Sequence, residues 1–259
     1  MKSGNDISLV LVCSDCVNTR ILYHGISNDI AISHIITELP VSRKHLIRRR
    51  IKRLGLWTTI GQLIFQVGVV PLMRKLSKNR IQEIIKDRHL KTLPMPGEKI
   101  IKIPSVNSKE FTEVIRDLKP DIILVNGTRI ISSATLAAIN CPIINVHVGI
   151  TPLYRGVHGA YWALANSDAS HCGVTVHRVD KGIDTGSILA QDIITPGKKD
   201  NFITYPYLQM DKAIALVKKL IPRLASDGCS PPDAPPGQSK LWYHPTIWQY
   251  LSNRLKGVK

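Results

Sequence analysis

Residues 142–148 read PIINVHV, an apolar run that carries two polar side chains, Asn145 and His147, one pleat apart. Alternation along an extended chain sends both to one face, so this segment predicts a strand that also presents chemistry. Working outward, DIILV at 121–125, stopped by Asn126-Gly127, and ISLVLV at 7–12 have the unbroken apolar character of strands covered on both faces. Residues 30–36 and 99–103 read as further strands. Helices are predicted at 18–26, at 107–118, from Ser132 or Ser133 to Ile139, and at 157–166. Asn107-x-x-Glu110 has the spacing of a capping box, and Lys119-Pro120 closes that helix. Residues 174–179 and 187–194 read as two strands joined by DKGIDTG at 180–186, a hairpin-like unit. A long helix is expected at 201–225, interrupted early by Pro206 and closed by Gly228. Strands alternating with helices predict an α/β fold. Its centre is a Rossmann-like, mostly parallel sheet with helices on both faces, turning antiparallel at its late strands.

The 259 residues, 44% of them apolar, suffice for one large α/β domain with an appendage. The expected division is a catalytic α/β domain at 1–228, with a basic, apolar-helical insert at about 42–90, and a C-terminal extension at 229–259. The net charge is +16, and between Val41 and Arg80 eleven Lys or Arg residues stand without one Asp or Glu. Such a block suits a phosphate-bearing substrate, nucleic acid or an anionic membrane surface, or simply forms a solvated face; charge alone does not separate these. Within it, residues 54–73 (LGLWTTIGQLIFQVGVVPLM) carry no charge. Length and flanks would allow a membrane span, but Gln62, Gln66, three glycines and Pro71 make it only moderately apolar. A span would also split the sheet, so apolar helices packed on the domain, or lying at a membrane surface, fit better.

Five cysteines include one C-x-x-C, Cys13-Ser14-Asp15-Cys16, with no second pair at ligand spacing. That pattern suits free thiols in a reducing compartment and gives no reason to expect a metal. The polar start, Met1 to Asp6, has no apolar stretch with a cleavage site behind it. A cytoplasmic protein is therefore expected, with peripheral contact at the inner membrane face left open.

Polar groups crowd two strand ends, where an open α/β sheet collects its reactive residues. One is Asn145-Val146-His147; the other is the turn with Asp180 and Asp184, in which Gly182 and Gly186 permit close backbone approach. An amide beside an imidazole can clamp an oxyanion during acyl transfer. Taken singly, a strand-end histidine is more often structural, and an Asp in such a turn often just caps it.

Together these segments resemble the folate-dependent formyltransferase family. The resemblance rests on Asn145-x-His147, Pro152-x-x-Arg155-Gly156, Gly173-Val174-Thr175 and Val179-Asp180-x-Gly182-x-Asp184-Thr185-Gly186-x-Ile188-Leu189. It is most specific from about Asp121 to Gln191. It implies N10-formyltetrahydrofolate as donor and Asn145, His147 and Asp184 as catalytic, with protonated His147 and the Asn145 amide on the oxyanion and Asp184 tuning the imidazole. It implies a folate site at Gly127, Thr128, Arg129 and Ile130 on one side and Val179 and Asp180 on the other, mostly through backbone. His158 and His177 match histidines of purine-pathway members and rank below the triad. The chain departs from the family pattern after His147, where Gly149 stands in place of a serine.

For the acceptor, the resemblance favours a nucleotide-linked amino sugar of bacterial surface polysaccharide (O-antigen), with GDP-perosamine first. Arg155, Gly156, His158, Trp242 and Tyr243 are the expected substrate contacts. About thirty residues after the long helix are too few for the nucleic-acid-binding domain of methionyl-tRNA formyltransferases, so no nucleic acid partner is expected. Glycinamide ribonucleotide transformylases are shorter and lack the insert. The expected partners are thus the amino sugar, tetrahydrofolate and a second copy in a homodimer. A reading of another class, a non-catalytic scaffold at a membrane surface, would use the insert alone.

Overall fold

The computed structural model describes residues 7–227 and 238–259. The apolar runs at 7–12, 121–125 and 142–148 become β1 (Leu9–Cys13), β4 (Ile122–Asn126) and β5 (Ile143–His147). Between the first two lie α1 (Val17–Ile26), β2 (Ile32–Glu38), α2 (Arg43–Leu54), α3 (Leu56–Ile64), α4 (Val70–Leu76), α5 (Lys78–Asp87), β3 (Ile100–Ile103) and α6 (Lys109–Leu118). α7 (Ser133–Ala137) precedes β5, and after it come β6 (Arg155–Gly156), α8 (Gly159–Ala165), β7 (Gly173–Arg178), β8 (Ile188–Ile193), α9 (Tyr205–Asp227), β9 (Leu241–Trp242) and α10 (Ile247–Leu255).

Seven strands form one sheet in the order β3-β2-β1-β4-β5-β7-β8. Pairing is parallel from β3 to β5 and antiparallel at β5–β7 and β7–β8, as the hairpin-like reading of 174–194 predicted. Alternation divides the core. Leu9 and Leu11 face α1, α8 and α9, whereas Val10 and Val12 face the layer holding Phe111 and Ile115 of α6. Strand order reverses between β1 and β4, so a crevice opens beyond their carboxyl ends.

The insert leaves β2 and returns to β3, and those strands are sheet neighbours with Ile35 opposite Ile100. The helical stretch Leu56–Leu76 is long and apolar enough to cross a membrane by length and composition. A single crossing there would put β2 and β3 on opposite sides, so the pairing rules it out. A π-helical segment spans Phe65–Val69, and its Phe65 is buried against Phe202 and Tyr250. The tail closes onto this face. β9 pairs with β6, α10 packs on α3, and Gln62 Nε2 donates to the carbonyl of His244 at 2.8 Å.

Several local expectations are corrected. α6 is capped by Ser108, whose Oγ accepts from the Phe111 amide, while the Asn107 side chain bridges Ile130 and Ser132 instead. Pro206 sits in the first turn of α9, where a missing N–H costs little; Pro222 is the proline inside the helix. A capping box exists, but at Thr246 and Gln249, opening α10, which the pattern of the tail did not announce. Gly228 and the boundary expected at 228–229 lie outside the described residues.

Candidate active site

A cleft of about 410 Å³ opens beyond β1, β4 and β5. Its walls include Asn145, His147, Asp184, Gly127, Thr128, Arg129, Ile130, Val179, Asp180, Gly156 and the lower-ranked His177, all named from sequence, together with Cys16 and Asn126. Asn145 stands directly opposite His177 in the β5–β7 register, so the two side chains share a face. His177 Nδ1 lies 2.7 Å from the Arg178 carbonyl, which can only accept, so Nδ1 carries the proton and Nε2 offers a lone pair. Asn145 Nδ2 donates to that lone pair at 3.1 Å and makes a longer contact, 3.4 Å, to Asp184 Oδ1. This partner for Asn145 was underrated from sequence; the strand pairing is what reveals it.

His147 Nε2 is 2.9 Å from the Tyr154 carbonyl, which fixes the proton on Nε2 in the neutral ring. Nδ1 then faces Asp184 Oδ2 at 3.4 Å. Burial lowers the His147 pKa below its ordinary value, outweighing the nearby carboxylate. The ring is therefore neutral at neutral pH, which corrects the expectation of a standing imidazolium. For Asp184, burial alone would raise the pKa. The positive charge that His177 or His147 takes on when protonated, and the Gly156 amide, which donates to Oδ2 at 2.9 Å, outweigh burial and lower it to about 2. A neutral imidazole thus faces a permanent carboxylate, an arrangement able to take up one proton and stabilise it.

Gly149 has its own reason. A Cβ there would stand 2.4 Å from the Tyr154 carbonyl and 2.7 Å from His147 Nε2. In this chain a glycine makes room for the carbonyl that orients the histidine, where the family pattern has serine.

The loop after β4 is held from behind. The Arg129 amide donates to Glu38 Oε2 at 2.8 Å, and its guanidinium turns away to the carbonyls of Pro104 and Leu39. The Arg129 side chain is thus committed to holding the loop in place. Asn126 ties the end of β4 to Thr19 of α1 and to the Val146 carbonyl. Cys13 is buried, and burial, with Cys16 and Asp15 nearby, pushes its thiol up to about 12, so it is no nucleophile. Among the described residues no cluster of three or more His, Cys, Asp or Glu could hold a metal ion.

One expected substrate contact is corrected. His158 is outside the cleft, packed among Phe65, Phe202 and His244, because it starts α8 with its ring turned into the core. Trp242 stacks on Trp162 and Tyr154 and lies under the Lys240 ammonium, and it also lines a second pocket described below. Arg155 braces the 180–186 turn by donating to the Ile183 carbonyl at 2.8 Å. Tyr243 lies beneath the Arg53 guanidinium at 5.3 Å and borders a second pocket of about 250 Å³. That pocket shares Gly156, Val157 and Ile183 with the cleft and is rimmed by Arg49, Arg50 and Arg53 of α2. The arginines were visible only as part of a basic run; their convergence beside the cleft needed the fold of the insert.

The formyl transferase domain family matches residues 72–202, half of the chain. The chain belongs to the formyl transferase family. Among its relatives, a methionyl-tRNA formyltransferase of Nitratiruptor sp. is 33% identical over 148 residues, covering 55% of this chain and 46% of that protein. A GDP-perosamine N-formyltransferase of Brucella melitensis is 30% identical over 121 residues, covering 46% of each. The chain spans about half the length of the curated relatives it matches. In fold, it is similar to a sugar N-formyltransferase from Shewanella sp. The TM-score is 0.56 at 14% identity, covering 91% of this chain and 76% of that one.

Proposed function

We propose that this chain transfers a formyl group from N10-formyltetrahydrofolate to the amine of a nucleotide-linked amino sugar. The observation that carries the reaction is the meeting of Asn145, neutral His147 and ionised Asp184 on one wall of the cleft. The amine nitrogen attacks the formyl carbon, forming the new C–N bond and an oxyanion. The Asn145 N–H that makes only the long contact to Asp184 is the donor available to an oxygen placed beside it. His147 Nδ1 accepts the proton released by the attacking amine, and Asp184 stabilises the imidazolium that results. Collapse breaks the bond to N10 of the folate, which takes the proton and leaves as tetrahydrofolate. Backbone groups at 127–130 and 179–180 are the expected folate contacts.

The second pocket supports an anionic acceptor. Three arginines converge on a small, partly apolar space that adjoins the cleft, suiting a diphosphate beside a base or sugar. Likeness to a GDP-perosamine N-formyltransferase makes GDP-perosamine the first acceptor to try. The methionyl-tRNA formyltransferase relatives and the charge of +16 favour a second reading, in which the acceptor is Met-tRNA. The deciding experiment offers GDP-, dTDP- and UDP-linked amino sugars, Met-tRNA and glycinamide ribonucleotide separately with N10-formyltetrahydrofolate. Mass gain of one formyl group on a sugar is the expected result. Turnover on Met-tRNA alone would reverse the order of the two readings, and turnover on none would overturn both.

A further inference from the structure

The insert presents a surface that the proposed reaction does not use. Along Leu56–Leu76, Trp57 is 76% exposed and Val67 74% exposed, with Ile64, Leu72 and Leu76 also open on the same rod. Its opposite side is fastened to the body through Thr59, Gly61, Gln62 and Phe65, so the exposed side is what remains for solvent. α10, packed on α3, adds Trp248, Leu251 and Leu255 at i, i+3 and i+7, the last 91% exposed. Runs of open Trp, Leu and Val at this density are unusual on a water-facing surface.

Charge frames these apolar rows. On α2, Lys44, Arg48 and Lys52 recur every four residues on the side that does not line the second pocket, and all three are exposed. Arg74 and Lys75 in the last turn of the rod, and Lys78 just past it, add positive charge at its other end, and residues 41–80 hold no acid. A second copy docked here through a twofold axis would bring the same basic segments of both chains together. An anionic sheet of headgroups over an apolar interior complements both features at once. Crossing is excluded by the β2–β3 pairing across the insert.

We propose that this face seats the protein on an anionic lipid bilayer, with Trp57, Val67 and their neighbours entering the interface and the Lys44–Arg48–Lys52 row on the headgroups. The proposal does not depend on which acceptor is formylated.

The test is sedimentation of the whole chain with vesicles of phosphatidylcholine alone or mixed with phosphatidylglycerol. Co-sedimentation with the anionic vesicles, weakened about tenfold or more by high salt or by the triple change Lys44→Glu, Arg48→Glu, Lys52→Glu, is expected. The pair Trp57→Glu, Val67→Glu should reduce binding comparably at an unchanged melting temperature, because both side chains are exposed. A readout on the unaltered chain guards against misfolded variants: lipids brominated on the acyl chain should quench tryptophan emission. The proposal is overturned by absence of binding to anionic vesicles at low salt, or by equal binding to neutral ones. It is also overturned if the chain ignores vesicles but self-associates through this face, with Trp57→Glu, Val67→Glu giving a monomer.

Discussion

The Gly156 amide donates to Asp184 Oδ2 at 2.9 Å, and Gly156 reaches that position with φ +93°. A Cβ there would stand 2.3 Å from the Trp242 carbonyl, the tail strand that pairs with it. One glycine therefore joins the C-terminal segment to the carboxylate of the site. Gly156→Ala should force the two strands apart and release the amide, at a cost of about 1–3 kcal/mol in stability. Formyl transfer should fall further than that loss of folded protein accounts for. Unfolding curves and single-turnover rates on the same sample separate the two effects; unaltered rates would mean the amide is dispensable.

Asp184→Asn keeps the shape and removes the charge that stabilises an imidazolium at His147. Loss of about 3–4 kcal/mol of barrier lowering, a hundredfold or more in kcat, is expected for this change and for Asn145→Ala. The pH profile adds a signature. The Asp184 carboxylate raises the His147 pKa and burial lowers it, with burial ahead. Removing the carboxylate leaves burial less opposed, so the acid limb of kcat/KM should move to still lower pH in Asp184→Asn. A limb that stays put would take His147 out of the proton transfer.

Stability should also depend on pH through histidines that take no part in the reaction. His158 Nε2 and His244 Nδ1 lie 3.0 Å apart, both half-buried where the tail meets the insert. Burial lowers His158 to about 4; burial, then His158 and Arg50, lowers His244 to about 3. In the unfolded chain both titrate near 6.5, so between that pH and about 4 the unfolded state binds more protons than the folded one. Stability is thus independent of these groups above pH 6.5 and falls as pH drops through the window. Asp184, held at about 2, adds a loss that begins only below its unfolded value near 4. Melting temperature against pH should slope downward on the acid side, less steeply in His244→Gln. Equal slopes would show that the pair is not buried in solution.

What sequence made legible follows from how far apart the interacting residues lie. β1, β4 and β5 were evident because a strand buried on both faces needs an unbroken apolar run, and that is a local property. Asn145 and His147 were evident for the same reason, being two positions on one strand. The partnership of Asn145 with His177 depends on register across 32 residues, and the joining of Gly156 to Trp242 spans more still. Neither leaves a local mark. α10 escaped notice because the capping signal at Thr246 and Gln249 follows a proline-rich segment and serves a helix of only nine residues. His158 was misread because matching a motif does not fix the direction of a ring at a left-handed position.

That helix supplies the last prediction. A Cβ on Gly61 would meet the Trp248 ring at 2.3 Å, so α3 and α10 approach as closely as they do because residue 61 has no side chain. The Trp248 ring is rigid, and α3 is fastened on its inner side by Phe65 and by the Gln62–His244 contact. Gly61→Ala therefore cannot be absorbed by a small shift of α3; α10 must move outward. Amides of Ile247–Leu255 should exchange with solvent faster, while those of β1, β4 and β5 keep their protection. The cost should be about 1–3 kcal/mol, confined to docking of the tail. Trp248→Ala in the same background removes the obstructing ring, so it should restore part of the protection. If exchange instead rose uniformly across the sheet, the tail would be an integral part of the cooperative core rather than a unit clamped onto the insert.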